Sequence, residues 1–163
     1  MKSKVIYQEK HFSKGITIIL GIVTLAVYTM MIIQMVRGPL GSKHAPTWVI
    51  ALIGTILLLA TLNFAFLKIT LTDQKVKIFY GLFGTSRKWV DLKLCEKDEK
   101  NHFYGWGIRF GRYKHDWVWV YNVIGGPRVA FLRKEGKQKS LIISTKNPDE
   151  IVKLANEQIE KNN

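Results

Sequence analysis

The chain has 163 residues, a formal net charge of +13 at neutral pH and a single cysteine. The length suits one domain, or a small domain joined to a further element. One thiol, Cys95, excludes an intrachain disulfide and a cysteine cluster that holds a metal. A lone cysteine suits a cytoplasmic setting, and we interpret it as a small apolar filler rather than a nucleophile.

Two long runs without a charged side chain occupy the first third of the sequence. Residues 15–36 and 47–67 contain 22 and 21 residues. A helix needs roughly 20 apolar residues to cross a bilayer core, so each run predicts a transmembrane helix. A buried core helix is the alternative, although such helices rarely reach this length uncharged. A cleaved signal peptide is disfavoured, because its apolar stretch is typically about 7–15 residues and no small-residue cleavage site follows.

A short connection, residues 37–46, joins the two runs. Pro39 and Pro46 end and restart the helices, so the sequence predicts a tight transmembrane hairpin. The N-terminal segment 1–14 carries four lysines against one glutamate, whereas the connection carries two basic residues. Basic residues accumulate on the cytoplasmic side of membranes. The hairpin is therefore predicted to place both chain termini in the cytoplasm and the short loop outside.

The positive charge is concentrated after the second apolar run, where residues 68–163 carry most of the excess of lysine and arginine. A basic domain at a cytoplasmic leaflet faces anionic lipid headgroups, which attract each nearby basic side chain by about 1 kcal/mol. A positive-inside bias alone is the alternative explanation of this charge. No motif that reads nucleic acid accompanies it, so we expect no nucleic-acid partner.

Residues 68–163 change to short alternating stretches, which predict about seven β-strands in a small sandwich or barrel. Asp73-Gln74 is predicted to be a two-residue turn, and residues 98–116 an irregular connection with one short strand. The candidate strands, including a weak one at 92–97, are 69–72, 75–80, 85–90, 92–97, 107–110, 117–122, 129–133 and 139–144.

The end of the chain predicts an amphipathic helix of three to four turns. Asn147 is a suitable N-cap, Pro148 suits the first helical position, and Glu150 stands three residues after the cap. Apolar residues then recur on one face. They are Ile151, Leu154, Ala155 and Ile159.

Strands followed by one helix resemble the pleckstrin-homology-like (PH-like) superfold. Three stretches are similar to bacterial PH-like membrane proteins: GWGIRFGRYKHDWVWVYNVIGGPRVAF at 105–131, GKQKSL at 136–141 and NPDEIVKL at 147–154. The insert GRYKHDW is longer and more basic than this resemblance leads us to expect. The resemblance covers roughly residues 68–160. It implies an α+β inner-membrane protein in which a transmembrane helical hairpin precedes a cytoplasmic, seven-stranded PH-like domain capped by its C-terminal helix.

The strand WVWVYN at 117–122 is apolar on both faces. We expect Trp117, Trp119 and Tyr121 to fill the interior of the barrel, since a buried aromatic removes about 150–250 Å² from water. The alternative is a surface stripe that touches lipid or a partner at the membrane interface, where tryptophan and tyrosine are favoured.

Basic residues are dense around this strand. We hypothesise that four of them cluster near Trp117 and Trp119 and form a contact surface. They are Arg109, Arg112, Lys114 and Arg128. The alternative is that these charges are ordinary solvated side chains.

The sequence carries no recognisable catalytic constellation. There is no phosphate-binding loop, GWGIRFG lacks the third glycine of a dinucleotide fingerprint, and no serine lies in a nucleophile elbow. The four histidines, at 11, 44, 102 and 115, fall in separate segments, and the carboxylates are scattered. We therefore predict no enzymatic activity, no cofactor and no metal.

The predicted function is that of a membrane-anchored binding module, which recruits or regulates a protein partner or senses anionic lipid. The bilayer is the expected partner of the hairpin. The rival hypothesis is a structural subunit of a larger membrane complex, assembled by self-association of the PH-like domain through an exposed strand edge. Phosphoinositide binding is not carried over from the superfold, because a fold alone does not establish a function.

Overall fold

The computed structural model of the chain describes residues 3–38, 45–99, 105–114 and 116–162. The chain divides into two units. Lys14–Ala65 form a helical unit, whereas Met1–Ser13 and Phe66–Asn163 together form a β-rich unit.

The helical unit consists of two antiparallel helices, α1 (Lys14–Arg37) and α2 (Thr47–Asn63). The hydroxyls of Tyr28 and Thr55 lie 3.4 Å apart, and the side chain of Gln34 donates to the carbonyl of Ala45 at 2.9 Å. The helices therefore contact each other along their length, as the predicted hairpin requires.

A glycine of α2 lies against a tyrosine ring of α1. A Cβ atom on Gly54 of α2 would lie 3.1 Å from the ring of Tyr28 on α1. Small residues at such positions let helix backbones come together, which is how apolar helices associate in lipid.

The two predicted helices are present, and their crossing of a membrane as a hairpin stays a prediction. Among the described residues, α1, with 24 residues, is the one helix that is long and apolar enough to cross a membrane, judged by length and composition only. The helix α2 has 17 residues and ends at Asn63, four residues before the predicted end, because the chain turns into a strand at Phe66. The predicted loop around Pro39 lies outside the described residues.

The first sheet of the β-rich unit has four antiparallel strands in the order β1-β2-β3-β4. The predicted turn at Asp73-Gln74 joins its second and third strands. The strands are β1 (Val5–Phe12), β2 (Phe66–Thr72), β3 (Lys75–Tyr80) and β4 (Phe83–Lys88).

The second sheet has five strands in the order β5-β8-β9-β7-β6. Its β7–β9 pair is parallel and its other pairs are antiparallel. The elements are β5 (Leu92–Lys97), β6 (Gly107–Tyr113), β7 (Asp116–Asn122), β8 (Arg128–Arg133), β9 (Leu141–Ser144) and the final helix α3 (Pro148–Lys161). The described part of the chain thus has nine strands rather than about seven, and the α+β class is confirmed.

The N-terminal segment is a strand, which the sequence analysis did not predict. We expected residues 1–14 to be a basic tail, yet Val5–Phe12 pairs along the whole of β2, with Phe12 opposite Phe66. Its mixed polar sequence gives no strong period-two signal, because β1 is an edge strand in which only Glu9 is buried.

A buried carboxylate fixes β1 to the rest of the β-rich unit. Glu9 accepts hydrogen bonds from the Thr145 hydroxyl at 2.6 Å, the Lys146 backbone N–H at 2.7 Å and the Tyr7 hydroxyl at 2.9 Å. Hydrogen bonds to an ionised acceptor are about twice as strong as neutral ones. The strand that precedes α1 is therefore joined to the loop that precedes α3.

The core lies between the sheets and under α3. Trp89 is fully buried, donates its indole N–H to the Thr72 carbonyl at 2.8 Å, and lies 6.5 Å from Phe131 between ring centres. The apolar face of α3 is confirmed, since Ile151, Ala155 and Ile159 are buried.

Two side-chain amides of the α3 region make tertiary contacts. Asn156 binds both backbone groups of Cys95 on β5, at 2.8 and 2.9 Å. The predicted side-chain cap at Asn147 is wrong: its amide makes no cap hydrogen bond and instead donates to the Tyr7 hydroxyl at 3.3 Å. The tertiary partner competes with the local one.

Replacement of Glu9 by alanine tests the connection of β1. We expect Glu9→Ala to lower the free energy of unfolding of the β-rich unit by about 2–4 kcal/mol, because three donors lose a charged acceptor in a buried place. Urea unfolding of the full chain in detergent, followed by its tryptophan fluorescence, to which buried Trp89 contributes, measures this loss. Glu157→Ala, on the exposed face of α3, is the control and should change stability by no more than about 0.5 kcal/mol. Equal effects of the two substitutions would contradict the assigned role of Glu9.

Candidate functional site

Three large aromatic side chains meet on one face of the β6–β7 hairpin. Phe110 on β6 is the register partner of Trp119 on β7, and Arg112 is the partner of Trp117. Cross-strand partners project from the same face of a sheet, and so do residues two apart along a strand. The pairing therefore brings Phe110, Trp117 and Trp119 together, and we call these three residues the aromatic cluster.

The aromatic cluster has a defined ring geometry. Phe110 stacks on Trp117, with ring centres 5.2 Å apart and planes inclined by 9°, and it meets Trp119 edge-on at 5.2 Å. The ammonium of Lys139 lies 3.9 Å from the centre of the Phe110 ring. A cation over an aromatic face contributes about 0.5–1 kcal/mol at an exposed site. Four side chains thus form one connected apolar and cationic surface.

The aromatic cluster is open to solvent. Trp117 is 56% exposed, Phe110 43% and Trp119 40%. The expectation that the aromatics of β7 fill the core is therefore wrong for both tryptophans and right for Tyr121, which is 6% exposed. On the other face of β7, the valines at 118 and 120 are fully buried. The surface stripe, the alternative interpretation, describes the first half of this strand.

A groove runs from the aromatic cluster to the edge of the first sheet. It encloses about 550 Å³ between the start of β4 and the β6–β7 hairpin. Its walls are mainly apolar, and Trp119 belongs to both the groove and the aromatic cluster. The lining residues are Leu82, Phe83, Gly84, Thr85, Ile108, Trp119 and Tyr121.

A buried arginine holds the inner end of this groove. The guanidinium of Arg87 donates to the Lys139 carbonyl at 3.2 Å and to the Thr85 hydroxyl at 2.8 Å. Burial lowers the pKa of Arg87, although Tyr121 and Asp91 oppose that shift. Burial also raises the pKa of Tyr121, which Arg87 partly offsets, so its phenol stays neutral at physiological pH. The guanidinium of Arg87 therefore stabilises the strands that form the groove and is not part of the groove surface.

The structure brings together three of the six predicted contact residues. Arg112, Trp117 and Trp119 share one face of the β6–β7 hairpin, and Arg112 is exposed. Arg109 projects from the opposite face, and its Nε donates to the Trp106 carbonyl at 3.1 Å.

The other two predicted basic residues make ion pairs. Lys114, in the β6–β7 turn, lies 2.6 Å from a carboxylate oxygen of Glu96. Arg128 lies on β8, with its Nε 2.9 Å from Asp98, and both of these side chains are largely shielded from solvent. These charges are part of the fold, which differs from the predicted clustering around Trp117.

Two members of the site were missed by the sequence analysis. Phe110 lies on β6, and the pairing of β6 with β7 brings it to the tryptophans. Lys139 lies just before β9, and the pairing of β9 with β7 brings it to the same place. The alternating side chains of residues 107–113, just before the aromatic strand, are the signal that favours a full strand here. The glycines in this segment favour an irregular connection instead.

The shifted pKa values of Glu96 and His11 follow from burial and from contacts within the fold. Burial opposes ionisation of Glu96, but hydrogen bonds from Lys114 and Tyr113 outweigh it and lower the pKa of this carboxyl. Burial lowers the pKa of His11. Within the described ranges, no three histidine, cysteine, aspartate or glutamate side chains are placed to hold a metal ion. The other three histidines of the sequence, at positions 44, 102 and 115, lie outside the described residues.

Comparison with protein-family models, with curated proteins and with solved structures finds no match to this chain. The resemblance to PH-like membrane proteins therefore stays a prediction, carried by the motifs quoted above. The site is an exposed aromatic surface beside a groove, with two basic side chains at its margin, on an α+β chain that contains an apolar helix of membrane-spanning length.

Cys95 offers a chemical test of the packing of α3 on β5. Burial strongly raises the pKa of its thiol, and the charge of Glu96 adds to that shift. Because the thiolate is the reactive form, we expect a thiol reagent at pH 8 to modify the native chain at least about 100-fold more slowly than the chain in denaturant. The reaction with a chromogenic disulfide gives both rates on the same thiol. Rapid native labelling would show that Cys95 is accessible and would contradict this packing.

Proposed function

We propose that this chain is a membrane-anchored binding module whose protein partner docks on the aromatic cluster. The observation that carries the proposal is the exposure of three aromatic rings in contact, with Phe110 stacked on Trp117 and edge-on to Trp119, beside two basic side chains. Isolated exposed apolar residues are ordinary on protein surfaces, but a contiguous patch of large ones marks an interaction site. Tryptophan and arginine are also the residues that most often carry binding energy at protein interfaces.

The chemistry of the surface indicates the kind of partner. Arg112 and Lys139 lie at the margin of the aromatic cluster, so an apolar segment with acidic residues beside it fits both features. Rim charges mainly govern the rate and selectivity of association, whereas the desolvated centre supplies most of the affinity. We therefore expect an acidic and apolar segment of a protein to bind here.

The topology of the first sheet supports a hairpin anchor. Phe12 at the end of β1 pairs with Phe66 at the start of β2, and the whole helical unit connects these two neighbours. Strands that pair in one sheet lie on the same side of a membrane. If α1 crosses the bilayer, the chain must therefore cross back before Phe66, and α2 is the segment that does so. A signal peptide is disfavoured by the same pairing, since its removal would also remove β1.

The length of α2 is compatible with this second crossing. Its 17 residues span about 26 Å at 1.5 Å per residue, and apolar residues Phe64 and Ala65 follow. This is the lower limit for a membrane helix, and local thinning of the bilayer accommodates a short one at small cost. The charge bias supports the proposal that both termini lie in the cytoplasm, with the β-rich unit as a PH-like domain at the inner membrane.

Single-cysteine labelling tests the anchor. In a Cys95→Ser background, we expect cysteines introduced at Ser3 and Asn162 to react alike with a membrane-impermeant maleimide in intact cells. A cysteine introduced at Lys43 should show the opposite reactivity. The reason is that two crossings return the chain to its original side. Permeabilised cells give the control for total reactivity. Opposite labelling of Ser3 and Asn162 would contradict the pairing of β1 with β2 across the hairpin, and equal labelling at all three positions would exclude the crossing.

Site-specific photocrosslinking tests the docking surface. A photoreactive phenylalanine analogue at Trp117 should yield one discrete protein adduct in intact cells, because this side chain is exposed within the proposed interface. The same analogue at Lys153, on the exposed face of α3, is the matched control and should not yield that adduct. Arg112→Glu should reduce the adduct at position 117 by roughly tenfold, which corresponds to about 1.4 kcal/mol of lost complementarity.

Other products at position 117 would favour other functions. Crosslinking to lipid alone would overturn the protein-binding proposal in favour of anionic lipid recognition. An adduct of two copies of this chain would favour the second candidate, a structural subunit that self-associates. That candidate is supported by β6, which is an edge strand of the second sheet and adjoins the aromatic cluster. Edge strands have unfilled backbone hydrogen-bonding positions that another strand can occupy.

A further inference from the structure

A second apolar surface lies at one end of the first sheet, and two of its residues, Leu82 and Phe83, also line the groove beside the aromatic cluster. It consists of the last residue of β1, the first residues of β2 and β4, and the turn between β3 and β4. The side chains are Phe12, Phe66, Leu82 and Phe83, which are 38, 40, 90 and 57% exposed. We call these four residues the strand-end rim.

The strand-end rim lies where the chain enters and leaves the helical unit. Phe12 is two residues before the start of α1, and Phe66 is three residues after the end of α2. Two or three residues of chain span at most about 7–11 Å, so both phenylalanines stay within that distance of a helix end. The rings of Phe12 and Phe66 also contact each other, with centres 5.1 Å apart.

The turn that carries Leu82 is held at the same place. The backbone N–H of Gly81 donates to the Phe66 carbonyl at 3.3 Å, and Tyr80 pairs with Phe83 across the turn. Gly81 has a φ of +61°, which a tight two-residue turn requires. The second turn residue is usually small or polar, yet here it is a leucine that is almost fully exposed.

Lysines accompany the strand-end rim as they do at membrane interfaces. Lys10 and Lys68 are direct register partners across β1 and β2, and both are exposed. The ammonium of Lys10 lies 3.7 Å from the centre of the Phe66 ring. Like charges directly opposite on a sheet destabilise it in water, whereas anionic headgroups neutralise them. Aromatic and leucine side chains with lysines just behind them are typical of surfaces that lie at the headgroup level.

We propose that the strand-end rim inserts into the headgroup region of the lipid bilayer. The occupant is lipid rather than a second copy of the chain, because Phe12 and Phe66 lie within a few residues of the helix ends and the turn of Leu82 is hydrogen-bonded to Phe66. This inference rests on the hairpin anchor proposed above. It does not depend on the partner that binds the aromatic cluster.

Depth-dependent quenching in vesicles tests the inference. The full chain with Cys95→Ser carries one environment-sensitive fluorophore at Leu82→Cys, at Leu25→Cys in α1, or at Glu135→Cys in the exposed β8–β9 turn. The vesicles contain phosphatidylcholine and phosphatidylglycerol, with a nitroxide either near the headgroup or deep in the acyl chain. We expect the probe at Leu82 to emit at shorter wavelength than the probe at Glu135 and to be quenched best by the nitroxide near the headgroup. The probe at Leu25 should prefer the deep nitroxide, and the probe at Glu135 should respond to neither.

The two probes separate the failure of this inference from the failure of the anchor. A quenched probe at Leu25 with an unquenched, water-exposed probe at Leu82 overturns the rim contact and leaves the anchor intact. Loss of quenching at both positions overturns both proposals. A blue-shifted but unquenched probe at Leu82 indicates cover by protein, such as a second copy, and also overturns lipid insertion. A probe at Phe66→Cys repeats the measurement on the neighbouring strand, and circular dichroism confirms that each variant is folded.

Discussion

The pairing of β1 with β2 is the constraint on which the rest of the structure depends. These strands are neighbours in one antiparallel sheet, and a helical hairpin takes the place of the turn that usually joins such neighbours. A flexible connection of about 50 residues would oppose the pairing through loop-closure entropy, but two helices in contact bring their outer ends together. The buried Glu9 then fixes β1 from the other side through Thr145 and Lys146. Local helix packing and long-range strand pairing therefore support each other.

Strand β7 shows how one sequence pattern serves both a core and a surface. Val118 and Val120 project into the interior, where they contact Ala130 and Ile142. The opposite face is buried at Tyr121 but exposed at Trp117, because the first sheet covers one end of the strand only. A buried core face and an exposed aromatic surface thus occur on a single strand, and the transition from Trp117 to Tyr121 takes four residues.

The sequence alone predicts the elements whose signals are local. The amphipathic face of α3, strand β5 at 92–97 and the turn at Asp73-Gln74 all follow from periodicity or turn chemistry within a few residues. Local patterns do not predict strand β1, because its register partners lie 54 to 67 residues away and its own pattern is mixed. The same limit applies to the site, since the alternation of tryptophan and valine is symmetric and only sheet pairing decides which face is covered. The pairing of Arg128 with Asp98 likewise depends on tertiary structure.

The net charge of +13 does not by itself mark a contact surface. Arg87, Arg128 and Lys114 hold carbonyls or carboxylates within the β-rich unit. An exposed charge pair contributes at most about 1 kcal/mol, whereas burial of a large aromatic side chain removes about 150–250 Å² from water at about 25 cal/mol per Å². Even after the half already buried in the free protein is discounted, each tryptophan of the aromatic cluster outweighs a neighbouring basic residue. Affinity at this surface should therefore be set by its rings, and the lysines and arginines should decide which partners approach it.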